Sequence, residues 1–146
     1  MGVRSTASVC LLMAAIIPTL GCGEPDNRKK TYPVSGIVTV DGAPAENLAV
    51  RAHPVDGIDK ADPTVTSAFT GADGKFTLST YEKADGIPEG KYKLTFVWGE
   101  MNMMTMAYGG PDKLKNRYDK EESSEFEFQV GDDQPTDLGT FDLKTK

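Results

Sequence analysis

The feature that most constrains this chain is an alternation of period two that begins near Tyr32 and recurs as far as Leu143. Its clearest instance is KYKLTFVW, where Tyr92, Leu94, Phe96 and Trp98 occupy every second position. In an extended strand successive side chains point to opposite faces, so this pattern buries one face and wets the other. The same period places Val34, Val38 and Val40 on one face with Gly36 between them, and sets Leu48, Val50 and Ala52 against Ala49, Arg51 and His53. Val65 to Thr70 and Lys75 to Thr80 flank Gly71-Ala72-Asp73-Gly74, a hairpin signature, and Phe76 and Leu78 share a face. Phe126, Phe128 and Val130 make a sixth run, and Leu138, Phe141 and Leu143 a seventh after the turn Gly131-Asp132-Asp133. Asp41-Gly42 is the dipeptide of the tightest hairpins. No stretch of ten residues sustains a 3.6-residue period, so the expectation is all-β: a single antiparallel β-sandwich of about seven strands, Ig-like in architecture. A chain of 146 residues has room for one such domain with a real core.

The first 21 residues read as an address rather than as part of that domain. Arg4 supplies the positive start, Val9 to Ile17 an apolar run, and Thr19-Leu20-Gly21-Cys22 a small-residue cleavage site. Nine apolar residues are too few to span a bilayer. Gly21-Cys22 resembles the lipobox of bacterial lipoproteins, with Thr19 where leucine is usual. That resemblance implies cleavage before Cys22, acylation of its sulfur and of the new amino terminus, and a stable anchor in membrane lipid. An ordinary secretory signal is the alternative. Gly23 stands where an aspartate would favour inner-membrane retention in double-membrane bacteria. Residues 22–31 then form the lipidated cysteine and a polar tether, GEPDNRKKT, and residues 32–146 the sandwich. Fully extended, the tether reaches about 30 Å, and Arg28-Lys29-Lys30 is a basic triplet that suits solubility or anionic lipid. Cys10 leaves with the signal and Cys22 is acylated, so the mature domain holds no disulfide and no thiolate site.

The succession VSGIVTVDGAP, TGADGKFTL and IPEGKYKLTF resembles the carboxypeptidase regulatory-like, transthyretin-like domain. TYEKADGIPEGKYKLTFVWG and DKLKNRYDKEESSEFEFQV are similar to small bacterial lipoproteins that carry this domain alone. The resemblance covers about Tyr32 to Leu143, and its motifs specify turns and core. It implies a transthyretin-like sandwich without catalysis of its own. Together with the export signal, the expectation is a module held on the periplasmic or extracellular side, with no cofactor or metal assigned and an envelope protein or polysaccharide as candidate partner.

The residues themselves offer little chemistry. With 16 Lys and Arg against 22 Asp and Glu, net charge -6, the chain lacks the basic footprint of a nucleic-acid binder. His53 is the only histidine, falls on an outward face beside Arg51, and has no nucleophile motif with it. Asp56, Asp59 and Asp62 in VDGIDKADP could offer oxygens to Ca²⁺, but they lack the ligand spacing, turn glycine and closing glutamate of a calcium loop, and a solvated connection explains them. Carboxylate pairs for glycoside hydrolysis can be chosen arbitrarily among 22. No catalytic residue is assigned.

One connection is long enough to matter. Residues 99–123 exceed the usual link between strands, and such loops carry function or hide structure of their own. This one holds Met101, Met103, Met104 and Met106, then Tyr108, Gly109-Gly110-Pro111 and the KLKNRY segment, Lys113 to Tyr118, which suits a short helical turn. Met101, Met103, Tyr108, Lys113, Lys115, Arg117 and Tyr118 are the candidate interaction residues. The other methionines, Met1 and Met13, lie in the signal. Three readings compete for the cluster. If the strand through Trp98 continues, Met104 and Met106 join its core face and Met101 and Met103 point away, so packing comes first; a docking surface comes second, and Cu(I) held by Met101, Met103, Met104 and Met106 third. A carbohydrate binder using Tyr108, Tyr118 or Tyr81 as sugar platforms is a further alternative.

Overall fold

The computed structural model describes residues 1–2, 27–131 and 134–146. The signal peptide, Cys22 and Asp132-Asp133 of the last turn lie outside them. Twelve strands follow in order: β1 (Thr31–Tyr32), β2 (Val34–Val40), β3 (Ala43–Pro44), β4 (Ala49–Pro54), β5 (Thr66–Phe69), β6 (Lys75–Thr77), β7 (Ile87–Pro88), β8 (Gly90–Val97), β9 (Glu100–Asn102), β10 (Ala107–Gly109), β11 (Glu127–Val130) and β12 (Thr136–Leu143). The seven strands expected from alternation are all among them, joined by five of two or three residues.

Two four-stranded sheets face each other. One runs β11-β8-β4-β5; in the other β2 is central, with β12 on one edge and β3 and β6 sharing the other. Val34, Val38 and Val40 of β2 and Val50, Leu94 and Phe96 of the facing sheet are buried between them, as period two requires. Phe96, Phe126 and Phe141 meet at centroid separations of 5.3–5.5 Å, uniting β8, β12 and the approach to β11. The buried cluster contains Val, Leu, Ile, Ala, Phe and Tyr but no methionine. Gly36 is there because a Cβ would lie 2.8 Å from the ring of Phe76, which crosses it.

Two expectations hold only in part at the level of connection. Gly71 to Gly74 is a closed turn, with Gly71 N–H donating to Lys75 O at 2.9 Å, and the runs beside it meet in one antiparallel bridge, Ser67 with Ser79, rather than along a full hairpin. β5 pairs with β4 and β6 with β2, so this turn carries the chain from one sheet to the other. Gly74 fits because a Cβ there would sit 2.4 Å from Val38 O. The sandwich is also not wholly antiparallel: β12 runs parallel to β2, with a register shift between Asp137 and Thr140. Both strands set out from the same end of the sandwich, and with most of the chain between them they need no local crossover. The Asp41-Gly42 turn is as expected, linking Val40 to its partner Ala43 with both residues at positive φ.

β8 defines two poles. At its Gly90 end lie β7, paired with β1, and the connection after β4, whose Val55 N–H donates to Lys91 O at 2.9 Å. At its Val97 end lie Ala49, Phe69 and the β9–β10 hairpin. Eight residues of strand separate the poles by about 23 Å.

Candidate functional site: the connection between Gly99 and Ser123

The long connection is two structures, and the break between strand and loop explains both. Past Val97 the chain leaves the sheet. The Asp112 carboxylate accepts Trp98 N–H at 2.8 Å, and the Tyr108 hydroxyl accepts Gly99 N–H at 2.7 Å while donating to Val97 O at 2.9 Å. The alternation of β8 therefore stops before the methionines. Trp98 itself is half-buried rather than core, its indole N–H donating to Glu46 O at 3.1 Å and the Lys113 ammonium standing 5.1 Å from its ring.

The first half, β9 and β10, is a hairpin with Met101 opposite Tyr108 and Asn102 opposite Ala107. Its tip is Met103-Met104-Thr105-Met106, turned by Asn102, whose side-chain oxygen accepts Met104 N–H at 2.9 Å and Thr105 N–H at 3.1 Å. Met104 is 95% exposed, Met103 79% and Met106 71%, while Met101 is half-buried. This reverses the expectation for Met104 and Met106: neither reaches the core, and packing does not explain the cluster. Met106 is also at φ 54°, a left-handed conformation that costs most residues roughly 1–2 kcal/mol and is usually left to Gly or Asn. At the base, Tyr108 meets Phe69 edge-on at 4.9 Å, and a groove of about 350 Å³ runs beside Met101, Asn102, Thr105 and Tyr108.

The second half is a cover. Asp112 also accepts Leu114 N–H at 3.0 Å and Asn116 N–H at 2.9 Å, so one carboxylate satisfies three backbone donors. Leu114 is fully buried in the core cluster. Lys113 pairs with Glu100 at 3.4 Å, Arg117 donates to Lys146 O at 2.6 Å, and Tyr118 O accepts Phe96 N–H at 2.8 Å as its hydroxyl accepts Lys144 N–H at 3.1 Å. KLKNRY is a pair of turns, with Lys115 and Asn116 both at positive φ. Of the seven candidate interaction residues, Lys113, Arg117 and Tyr118 are thus fasteners. Met101 and Tyr108 line the groove, Met103 stands at the tip, and Lys115 is exposed on the cover. Sequence reasoning missed Asp112 and Leu114; the signal was Pro111-Asp112, a turn-initiating pair two residues before a lone leucine.

The remaining candidates are also fasteners. His53 is half-buried: its Nε2 lies 2.9 Å from Thr95 Oγ1 and its Nδ1 3.0 Å from Glu121 Oε2. That line of groups has the order of a hydrolytic triad, but Thr95 is 2% exposed, which closes its hydroxyl to substrate, and the contacts hold the 3₁₀ turn Glu121–Ser123 against the sheet. Asp59 takes Lys29 Nζ at 2.5 Å, and Asp62 accepts the Tyr81 hydroxyl. The hydrogen bond from Lys29, with that from Ala61 N–H, holds the Asp59 carboxyl below the usual range; burial, then the bond to Asp62, pushes the Tyr81 phenol up. Among the described residues no group of three His, Cys, Asp or Glu is placed to hold a metal ion. The three tyrosines do not make one sugar platform. Tyr81 lies by Lys29 at the Gly90 pole and Tyr108 at the other, with the Tyr118 hydroxyl engaged on the cover.

The segment read as a tether is likewise held over its last residues. Arg28 pairs with Glu82 at 3.1 Å, Lys29 N–H donates to the Tyr81 hydroxyl at 3.0 Å, and Lys30 lies 5.0 Å from the Tyr32 ring. The chain between Cys22 and Arg28 can span at most about 20 Å.

No family model matches the chain, and no curated protein matches it. Among solved structures it is similar to a 9R-lipoxygenase from Cyanothece PCC8801 at 14% identity and TM-score 0.38, covering 78% of this chain and 16% of that one. A DUF3823 family protein from Parabacteroides merdae is similar at 16% identity and TM-score 0.41, with 80% of this chain and 46% of that one covered. The dioxygenase domain of a carbohydrate-binding fusion protein from Streptomyces sp. SirexAA-E is similar at 20% identity and TM-score 0.38, with 82% of each chain covered. The chain therefore spans less than half the length of the first two.

Proposed function

We propose that this chain is a non-catalytic binding module of the cell envelope, a transthyretin-like sandwich exported and anchored through lipid on Cys22, which offers its β9–β10 hairpin to an envelope protein or polysaccharide. One observation carries the reading. The residues that lead to Cys22 and the hairpin lie at opposite ends of β8, about 23 Å apart. An anchor at Cys22 would thus hold the Gly90 pole near the bilayer and turn the methionine tip outward. Val55, Ile58 and Val65 are exposed at the Gly90 pole, where they could rest against the bilayer surface, and Lys29 and Arg28 there are paired with Asp59 and Glu82. The hairpin in turn is fixed at its base by the two Tyr108 hydrogen bonds, so it is presented in one orientation rather than free to fold back.

The test is orientation. With Cys22 acylated, a cysteine introduced as Ile58→Cys or Met104→Cys is the sole thiol of the mature chain and takes a fluorophore cleanly. In protein reconstituted into vesicles that carry a lipid-borne quencher, emission from position 58 should fall strongly and emission from position 104 little. Equal quenching at both, or protein that stays out of the membrane fraction, would contradict the reading.

A further inference from the structure

We infer that the turn Met103-Met104-Thr105-Met106, with Met101 beside it, is a binding site for one soft monovalent cation, Cu(I) or its heavier congener Ag(I), held by thioether sulfur. This goes beyond the proposal above and does not depend on it, since it concerns the turn alone.

The argument begins from what methionine is not doing. Its ordinary use is to fill irregular gaps in a core, and the buried cluster holds none. All four methionines outside the leader stand within six residues, and the three at the tip are 71–95% exposed. The backbone does not ask for them either: the left-handed φ of Met106 is one that Asn or Gly adopts with less strain. A side chain kept at a position that its backbone disfavours and its packing ignores points to chemistry at the side chain.

Size then sets what the turn can do by itself. A stable protein interface needs about 800 Å² from each partner, so the turn could supply only part of one, with the rest of the hairpin and its groove. An ion needs only two to four donors. The three methionines lie within the four residues between the paired Asn102 and Ala107, and three rotatable bonds in each give their sulfurs the reach to share one ion. Met101, half-buried on the groove opposite Tyr108, is placed to join from the β9 side. Neutral thioethers are soft ligands that select Cu(I) over Zn²⁺ and the hard divalent ions. The turn has no histidine or cysteine that would favour zinc.

The experiment titrates the whole mature protein with Cu(I) under argon against a chromophoric Cu(I) chelator, and separately with Ag(I). Wild type should take up one equivalent of each and no Zn²⁺. Met103→Leu/Met104→Leu/Met106→Leu keeps volume and hydrophobicity and should bind at least tenfold more weakly with its denaturation midpoint unchanged. Met106→Asn, which eases the left-handed residue, should fold as well as wild type yet also weaken the metal. Met101→Leu should cost less than either. Binding by the triple leucine variant equal to wild type, or no uptake by wild type, would overturn the site.

Discussion

The two halves of the connection between Gly99 and Ser123 have similar lengths and opposite constructions. The cover is fastened to the fold along its length: Asp112 takes three backbone N–H groups, Tyr118 braces Phe96 and Lys144, and Leu114 enters the core. In the hairpin, only the base is fastened, through Tyr108, and the tip exposes three large apolar side chains to water. Exposure and length alone would class both as loop. What distinguishes them is where the side chains go: the cover belongs to stability, and the tip is left for the recognition proposed above.

That contrast can be broken by substitution. The largest effect should come from Leu114→Ala, which removes a fully buried side chain and should cost about 2–5 kcal/mol in urea denaturation. A cost below about 1 kcal/mol would mean the cover is only draped over the sandwich. Asp112→Ala should follow at about 1–3 kcal/mol, because three N–H groups lose their acceptor together, the value falling toward the lower end as water reaches this half-buried site. Hydrogen exchange would sharpen it further: the amides of Trp98, Leu114 and Asn116 should lose protection in that variant while those of β4 keep theirs.

Legibility followed the persistence of each strand. Tyr92, Leu94 and Phe96 were readable as core because β8 is extended throughout, paired with β4 at all three and held on its other side by β11 as far as Lys93 and by Phe126 O and Tyr118 O beyond it. The same pattern misled at Met104 and Met106, though Trp98 does pack against the core as a half-buried residue, because alternation says which residues share a face only while the strand lasts. What ends β8 is Asp112, 14 residues downstream, and no local period encodes it. The Gly71 to Gly74 turn was legible as a turn but not as a passage between sheets, since turn chemistry fixes the local path and not the partners of the strands it joins. The parallel course of β12 rests on contacts with β2, about 100 residues earlier, and was equally invisible. At the candidate site, the residue types were conspicuous and their exposure was not.

The most direct test of the division is to replace the tip with a residue that neither packs nor binds soft metal. In Met103→Ser/Met104→Ser/Met106→Ser, three side chains that touch no core are removed, so the urea midpoint should stay within about 0.5 kcal/mol of wild type. A loss of about 2 kcal/mol or more would show that the methionines pack after all, and the account of the hairpin as a presented tip would fall.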